Sequence, residues 1–247
     1  MSARHAADGA ASASPSVPAS ALADLVLERL VPTYGKGADA ARAEQMAAYM
    51  KGVAPFLGIA SPERKALSKI VLEGLPRPDE ADCTAVALRA WRLPEREYHY
   101  FAVDYLRRHG KRLSSAFLPV ARHLVTTLPW WDTVDALAVH VVGGLVAADP
   151  RLERDMDAWI EDDDLWVART ALLHQLRYKD ATDPDRLFGY CLRQSGHPDF
   201  FIRKAIGWCL REYAKTDAQA VRDFVAAHEQ RLSPLSVREA LKNVGRP

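Results

Sequence analysis

Two stretches of this chain hold residue types suited to chemistry on a charged substrate. The first is Leu128-Pro129-Trp130-Trp131-Asp132-Thr133-Val134-Asp135. Read as a helix, it sets Trp131 and Asp135 four apart, as neighbours on one flank. Trp130, Val134, Leu137 and Val141 then form a core stripe beside them. A carboxylate beside an aromatic wall suits cleavage at a sugar carbon that develops positive charge. The carboxylate stabilises the oxocarbenium-like centre and orients a water, and the ring face attracts cationic groups and covers the sugar. One carboxylate suffices where the leaving group is already cationic, as an N-alkylated purine is, because no general acid is then required. The same residues also have a purely structural reading, in which Asp132 caps the helix and Asp135, three residues on, completes a capping box.

The second stretch runs from Phe200 to Lys215. At about 100° per residue, Lys204, Trp208, Arg211 and Lys215 share one stripe, and Ile202, Ile206, Cys209 and Tyr213 share the opposite one. Cations around a Trp match a polyanion that also presents a flat or apolar group, and nucleic acid is such a partner. The alternative is a solvated face with Trp208 packed on a neighbouring helix.

Nearly every segment that must position these residues reads as helix. Heptad-like spacing of apolar residues begins at Ser20–Tyr34 and continues through Asp39–Lys51, 61–75, Asp79–Arg92, Pro94–His109, Ser114–Leu128, 130–147, Pro150–Ile160, Leu165–Tyr178, Pro184–Arg193, Pro198–Lys215, Asp217–Arg231 and Pro234–Val244. Ser61-Pro62, Asp149-Pro150, Asp183-Pro184 and Ser233-Pro234 each read as a capping residue followed by Pro at the first helical position. Only 52–60, with two Gly and a Pro, breaks the pattern, and its apolar residues suggest a loop packed on the body. No stretch alternates as a strand would. Helices of this length with short joints, paired at intervals of about 35 to 40 residues, predict an all-α fold: a curved α-solenoid of HEAT-like helical repeats. Residues 1–19, rich in Ala, Ser and Pro, read as a disordered tail, and 20–247 as one domain.

Composition excludes more than it identifies. A net charge of +1 gives no global polyanion signal, so any such binding rests on local clustering. The acids of 150–164 give way, between Leu165 and Lys215, to nine cations against five acids. Cys83, Cys191 and Cys209 have no paired spacing, and the eight His form no ligand pattern, so neither a metal nor another cofactor is expected. Reduced thiols, the lack of an apolar secretory core near the N-terminus and the lack of a run approaching about 18 apolar residues lead to the expectation of a cytoplasmic protein that meets no membrane. Phosphate-binding, dinucleotide-binding and nucleophile-elbow motifs are absent.

Several stretches together resemble the DNA alkylation repair glycosylases of the AlkD type. They are Tyr49-Met50-Lys51, Pro55-Phe56-Leu57-Gly58-Ile59, Ser61-Pro62-Glu63-Arg64, Leu93-Pro94-Glu95-Arg96-Glu97, Trp130 to Asp135, Gln175-Leu176-Arg177-Tyr178-Lys179, Phe200 to Lys215 and Pro234 to Ala240. The resemblance implies a monofunctional glycosylase in base excision repair. It would hydrolyse the N-glycosidic bond of cationic N3- or N7-alkylated purines in double-stranded DNA, working from the sugar side without flipping the base. By position it implies Asp135 as the catalytic carboxylate, with Trp131 and Trp208 as its aromatic walls. Tyr49 would lie nearby, Arg169 and Arg211 would face the DNA, and Phe200 and Phe201 would lie near the opposing strand. Lys204 and Lys215 read as groove charges, and a monomer is expected. Ala60 departs from the family, where relatives carry a polar residue. Two other functions fit a helical solenoid: a non-catalytic binder of DNA structures and a protein-binding scaffold. The complete set of Trp131, Asp135 and Trp208 ranks the glycosylase first.

Overall fold

A computed structural model describes residues 15–245, so most of the expected tail lies outside the described residues. All regular structure among them is helical: α1 (Ala21–Lys36), α2 (Ala40–Tyr49), α3 (Ser61–Leu72), α4 (Glu80–Trp91), α5 (Arg96–His109), α6 (Leu118–Thr126), α7 (Trp131–Leu137), α8 (Gly143–Ala148), α9 (Glu153–Trp159), α10 (Leu165–Leu173), α11 (Pro184–Arg193), α12 (Phe200–Tyr213), α13 (Ala218–His228) and α14 (Pro234–Ala240). Short 3₁₀ turns join several of them.

The helices form an α-solenoid of repeated pairs. Helices α5, α7, α10, α12 and α14 pack consecutively in one row, and each also packs on the helix before it in a second row, α4, α6, α9, α11 and α13. With α3, the members of the first row begin at 61, 96, 131, 165, 200 and 234, a repeat of 34 or 35 residues. One continuous apolar core runs from Ala23 on α1 to Leu241 beyond α14. Because each repeat buries its face only against its neighbours, a residue near the start of one row helix comes close to the matching residue of the next.

Local chemistry sets the helix starts. Asp183 and Ser233 accept from the backbone of Arg186 and Ser236, as capping residues ahead of Pro, and Asp79 and Asp82 form a reciprocal capping box. The Ser61-Pro62 start is displaced by one: Ala60 is the N-cap, without a side-chain bond, and Ser61 is already helical. The segment 52–60 is a loop, pinned by Glu97, whose fully buried carboxylate accepts from the amides of Leu57, Gly58 and Ile59 at 2.8–3.0 Å. Gly58 is obligatory there. Its φ is +86°, and a Cβ would meet Asp39 O at 2.1 Å.

The expected helix 130–147 spans Trp131–Ala148 with a π turn at Ala138–Val142 between α7 and α8. The turn delivers Gly143 against the end of α10, where a Cβ would meet His174 O at 2.2 Å. Helix α10 stops at Leu173 rather than reaching Tyr178. The chain turns back there, Tyr178 Oη donates to Gly143 O at 2.7 Å, and Lys179 takes a left-handed φ of 53°. Contrary to the expectation of no such run, Trp131–Ala148 is as long and apolar as a membrane span, with mean hydropathy 1.3. Half of it is buried inside the protein, and its two carboxylates pair with arginines of α5 and α10.

Candidate active site

Helix α7 is central because both carboxylates of its first turn are gripped from opposite sides. Neither acts as a cap: the N-cap residue is Trp130, and no side chain caps the helix. The capping-box reading is therefore overturned. Asp132 instead receives Arg96 of α5, through Nε at 3.0 Å and Nη2 at 2.6 Å, and the hydroxyl of Tyr100 at 2.6 Å. Arg96, buried to 1% exposure, also donates to Leu128 O, Thr133 Oγ1 and His99 Nδ1. For that last bond His99 must be neutral with its proton on Nε2, which donates to Leu93 O. Burial and Arg96 hold its pKa down at about 4, in keeping with that state.

Asp135 receives Arg169 of α10 in the same bidentate manner, Nε to Oδ1 at 2.7 Å and Nη2 to Oδ2 at 2.8 Å. Arg169 is 3% exposed, and its Nη1 donates to Phe201 O at the start of α12. It was expected to face DNA; its guanidinium is instead turned inward onto Asp135. The Asp135 side chain keeps 15% of its surface exposed. Burial pushes its pKa above the usual aspartate value and Asp132 adds to this, while the bonds and charge of Arg169 oppose it. Two carboxylate oxygens offer about four lone-pair sites. Arg169 takes one on each, which leaves acceptor capacity toward solvent.

Trp131 stands at the first position of α7 with 37% of its surface exposed, and shares a cleft of about 520 Å³ with Tyr49, Met46, Phe56, Tyr100 and Asp132. Tyr49 is 73% exposed. The structure thus brings Tyr49 and Trp131 to one cleft. The two phenylalanines differ in exposure while their rings touch edge to face, 5.5 Å apart. Phe200 is 52% exposed, while Phe201 packs into an aromatic cluster, 4.9 Å from Trp130 and 5.0 Å from Trp166. Within that cluster the indole N–H of Trp130 is buried with no hydrogen-bond partner among the described residues.

The α12 stripe is not a bare cationic face. Lys204 Nζ lies 2.7 Å from Glu239 Oε1, Arg211 pairs with Glu239 Oε2, and Lys215 pairs with Glu212 at 2.6 Å. Gly207 allows this arrangement: a Cβ there would meet Glu239 Cβ at 2.4 Å, so only glycine lets α14 approach closely enough. Trp208 is half-buried against the core on the same helix, seven residues beyond Phe201.

The sequence reading assigned no role to Arg96, Glu97 or Glu239, although they lie in the stretches that carry the resemblance, and did not single out Tyr100. The signal for some was present as opposite charges one repeat apart: Arg96 and Asp132 differ by 36 positions, Asp135 and Arg169 by 34. In a solenoid, that spacing places both partners on adjacent row helices.

A protein-family model described as DNA alkylation repair enzyme matches residues 33–244. The chain belongs to the DNA alkylation repair enzyme family. Among solved structures, one described as a predicted DNA alkylation repair enzyme from Enterococcus faecalis is 33% identical with a TM-score of 0.76, over 85% of this chain and 98% of that one. Comparison with curated proteins gave no match. Membership gives this member of the family a role in DNA repair.

Proposed function

We propose that the protein is a monofunctional DNA glycosylase that hydrolyses the N-glycosidic bond of cationic N3- or N7-alkylated purines in duplex DNA, acting as a monomer and leaving the base stacked. The observation that carries this reading is Asp135, a largely buried carboxylate in a fixed orientation, with free acceptor capacity, one helical turn from the exposed ring of Trp131. An alkylated purine leaves as a neutral base once the C1′–N bond breaks, taking the bonding electron pair. Positive charge then passes to the sugar. A carboxylate that is already desolvated and immobilised stabilises that charge without reorganising, and the Trp131 face supports it from the side. Water adds at C1′, releases a proton and leaves an abasic site. Asp135 accepts a hydrogen bond from that water and orients it. Arg169 fixes the carboxylate rather than touching the substrate. Trp208, Tyr49 and Phe200 are aromatic contacts to the backbone around the lesion, and Lys204, Arg211 and Lys215 line the groove.

A second reading, a helical-repeat protein that binds DNA without cleaving it, rests on the same bidentate pairing, which equally suits a structural ion pair. A duplex carrying one 7-methylguanine separates the two. The glycosylase releases that base above the spontaneous rate and leaves a neutral 7-deaza isostere in place. Salt-dependent binding without release favours the binder and overturns the proposal.

A further inference from the structure

A group of five cations without a salt-bridge partner among the described residues lies on the α3–α5 seam. Lys204, Arg211 and Lys215 each have a carboxylate partner. By contrast, Arg107, Arg108 and Lys111 at the end of α5, with Lys65 and Lys69 on α3, are all exposed, and none forms a salt bridge among the described residues. The one acid between them, Asp104, is held by Arg64 at 2.8 Å. Cations are favoured at the C-terminal end of a helix by its dipole, which accounts for Arg107 and Arg108 on α5 and Lys69 on α3, but not for Lys65 in the first half of α3. Two adjoining depressions collect them. One, of about 450 Å³, is lined by Lys65, Lys69, Arg107 and Arg108, and the other, of about 440 Å³, by Arg77, Arg107, Arg108 and Lys111.

The cluster adjoins the Trp131 cleft. Arg64 and Tyr100 line the Trp131 cleft, and the Arg64–Asp104 pair divides that cleft from the first basic depression. At about 1.5 Å per residue, Arg107 lies about 10 Å along α5 from Tyr100, and Lys111 stands beyond the helix in the 3₁₀ turn Gly110–Arg112. The Arg107 separation is comparable to the width of the major groove of a duplex, about 12 Å.

We infer that Arg107, Arg108, Lys111, Lys65 and Lys69 form a binding surface for the phosphate backbone of duplex DNA, flanking the lesion site and supplying most of its electrostatic affinity. The inference rests on the proposed function for the position of the lesion, but binding tests it separately. Measured by fluorescence anisotropy over a salt series, Arg107→Ala/Arg108→Ala/Lys111→Ala binds an undamaged duplex about tenfold or more weakly, and its log–log salt slope is shallower by about 2 to 3, near 0.9 per lost phosphate contact. Lys65→Ala/Lys69→Ala, on a different helix, shifts the slope in the same direction, which separates lost contacts from misfolding. Lys204→Ala/Lys215→Ala, which removes paired cations, changes affinity far less. A wild-type slope and affinity in both patch variants overturns the inference. Wild-type protein that binds duplex but releases no base overturns the glycosylase reading alone, and the patch variants still decide this one.

Discussion

Arg169→Met isolates the clamp on Asp135. Methionine keeps the aliphatic packing of the side chain while removing three bonds: two to Asp135 and one to Phe201 O. Removing one partner of a buried ion pair costs about 3–5 kcal/mol, because the other charge is left uncompensated. Asp135 keeps some solvent contact, which brings the expectation to about 2–4 kcal/mol at neutral pH. The loss depends on pH in a definite sense. Asp135 already has a raised pKa, and Arg169 is what holds it down. In the variant it rises further above its unfolded value. A carboxyl group with a raised folded pKa destabilises the fold where it must ionise, and ceases to do so as pH falls below both values. The deficit relative to wild type is therefore largest at pH 8 and shrinks toward pH 4. Urea titrations at several pH values measure it. Adding Asp135→Asn to Arg169→Met recovers part of the loss, because the stranded charge is gone, with a coupling energy of about 2 kcal/mol in the double-mutant cycle. A deficit independent of pH, or a coupling below about 0.5 kcal/mol, refutes the assignment of Arg169 as the counter-charge of Asp135.

Gly207→Ala tests the close approach of α12 and α14. Alanine is favoured over glycine in a helix by about 1 kcal/mol, yet here its Cβ meets Glu239 Cβ and Ser236 O, so a net loss of about 1–3 kcal/mol and a lower Tm in calorimetry are expected. Glu239→Gln removes the carboxylate shared by Lys204 and Arg211. The hydrogen bond from Lys204, then those from Arg211, hold the Glu239 pKa below its ordinary 4.5, so its contribution is present above pH 4.5 and lost as pH falls through the folded value. Denaturation should show a difference of about 1 kcal/mol at pH 7 that shrinks as pH falls below 4.5.

How much of this was legible in the sequence depends on which partner a residue meets. The helical rows and their repeat follow from apolar periodicity and from capping residues such as Asp79, Asp183 and Ser233, because these depend on neighbours within a turn or two. The pairing of Trp131 with Asp135 on one flank belongs to the same class, whereas Tyr49 is legible only through the family resemblance. Arg169 and Lys204 do not belong to that class. Their types announce a cation, but whether it faces a groove or a carboxylate depends on Asp135 and Glu239 across a repeat. The end of α10 escaped for a similar reason, since it is fixed by the contact of His174 O with Gly143 beyond a π turn. That Phe201 is the more buried of the adjacent pair depends on the aromatic cluster around Trp130 and Trp166.

The central claim is that the fixed charge of Asp135 stabilises a cationic sugar, and single-turnover release of 7-methylguanine from duplex DNA by wild type and Asp135→Asn measures it most directly. Asparagine preserves the shape and can still accept a bond from Arg169. The account predicts release by the wild type well above the spontaneous rate and a loss on the order of 10²-fold or more in the variant, with duplex affinity retained. Equal rates for the two proteins, or a wild-type rate no faster than buffer, would contradict it.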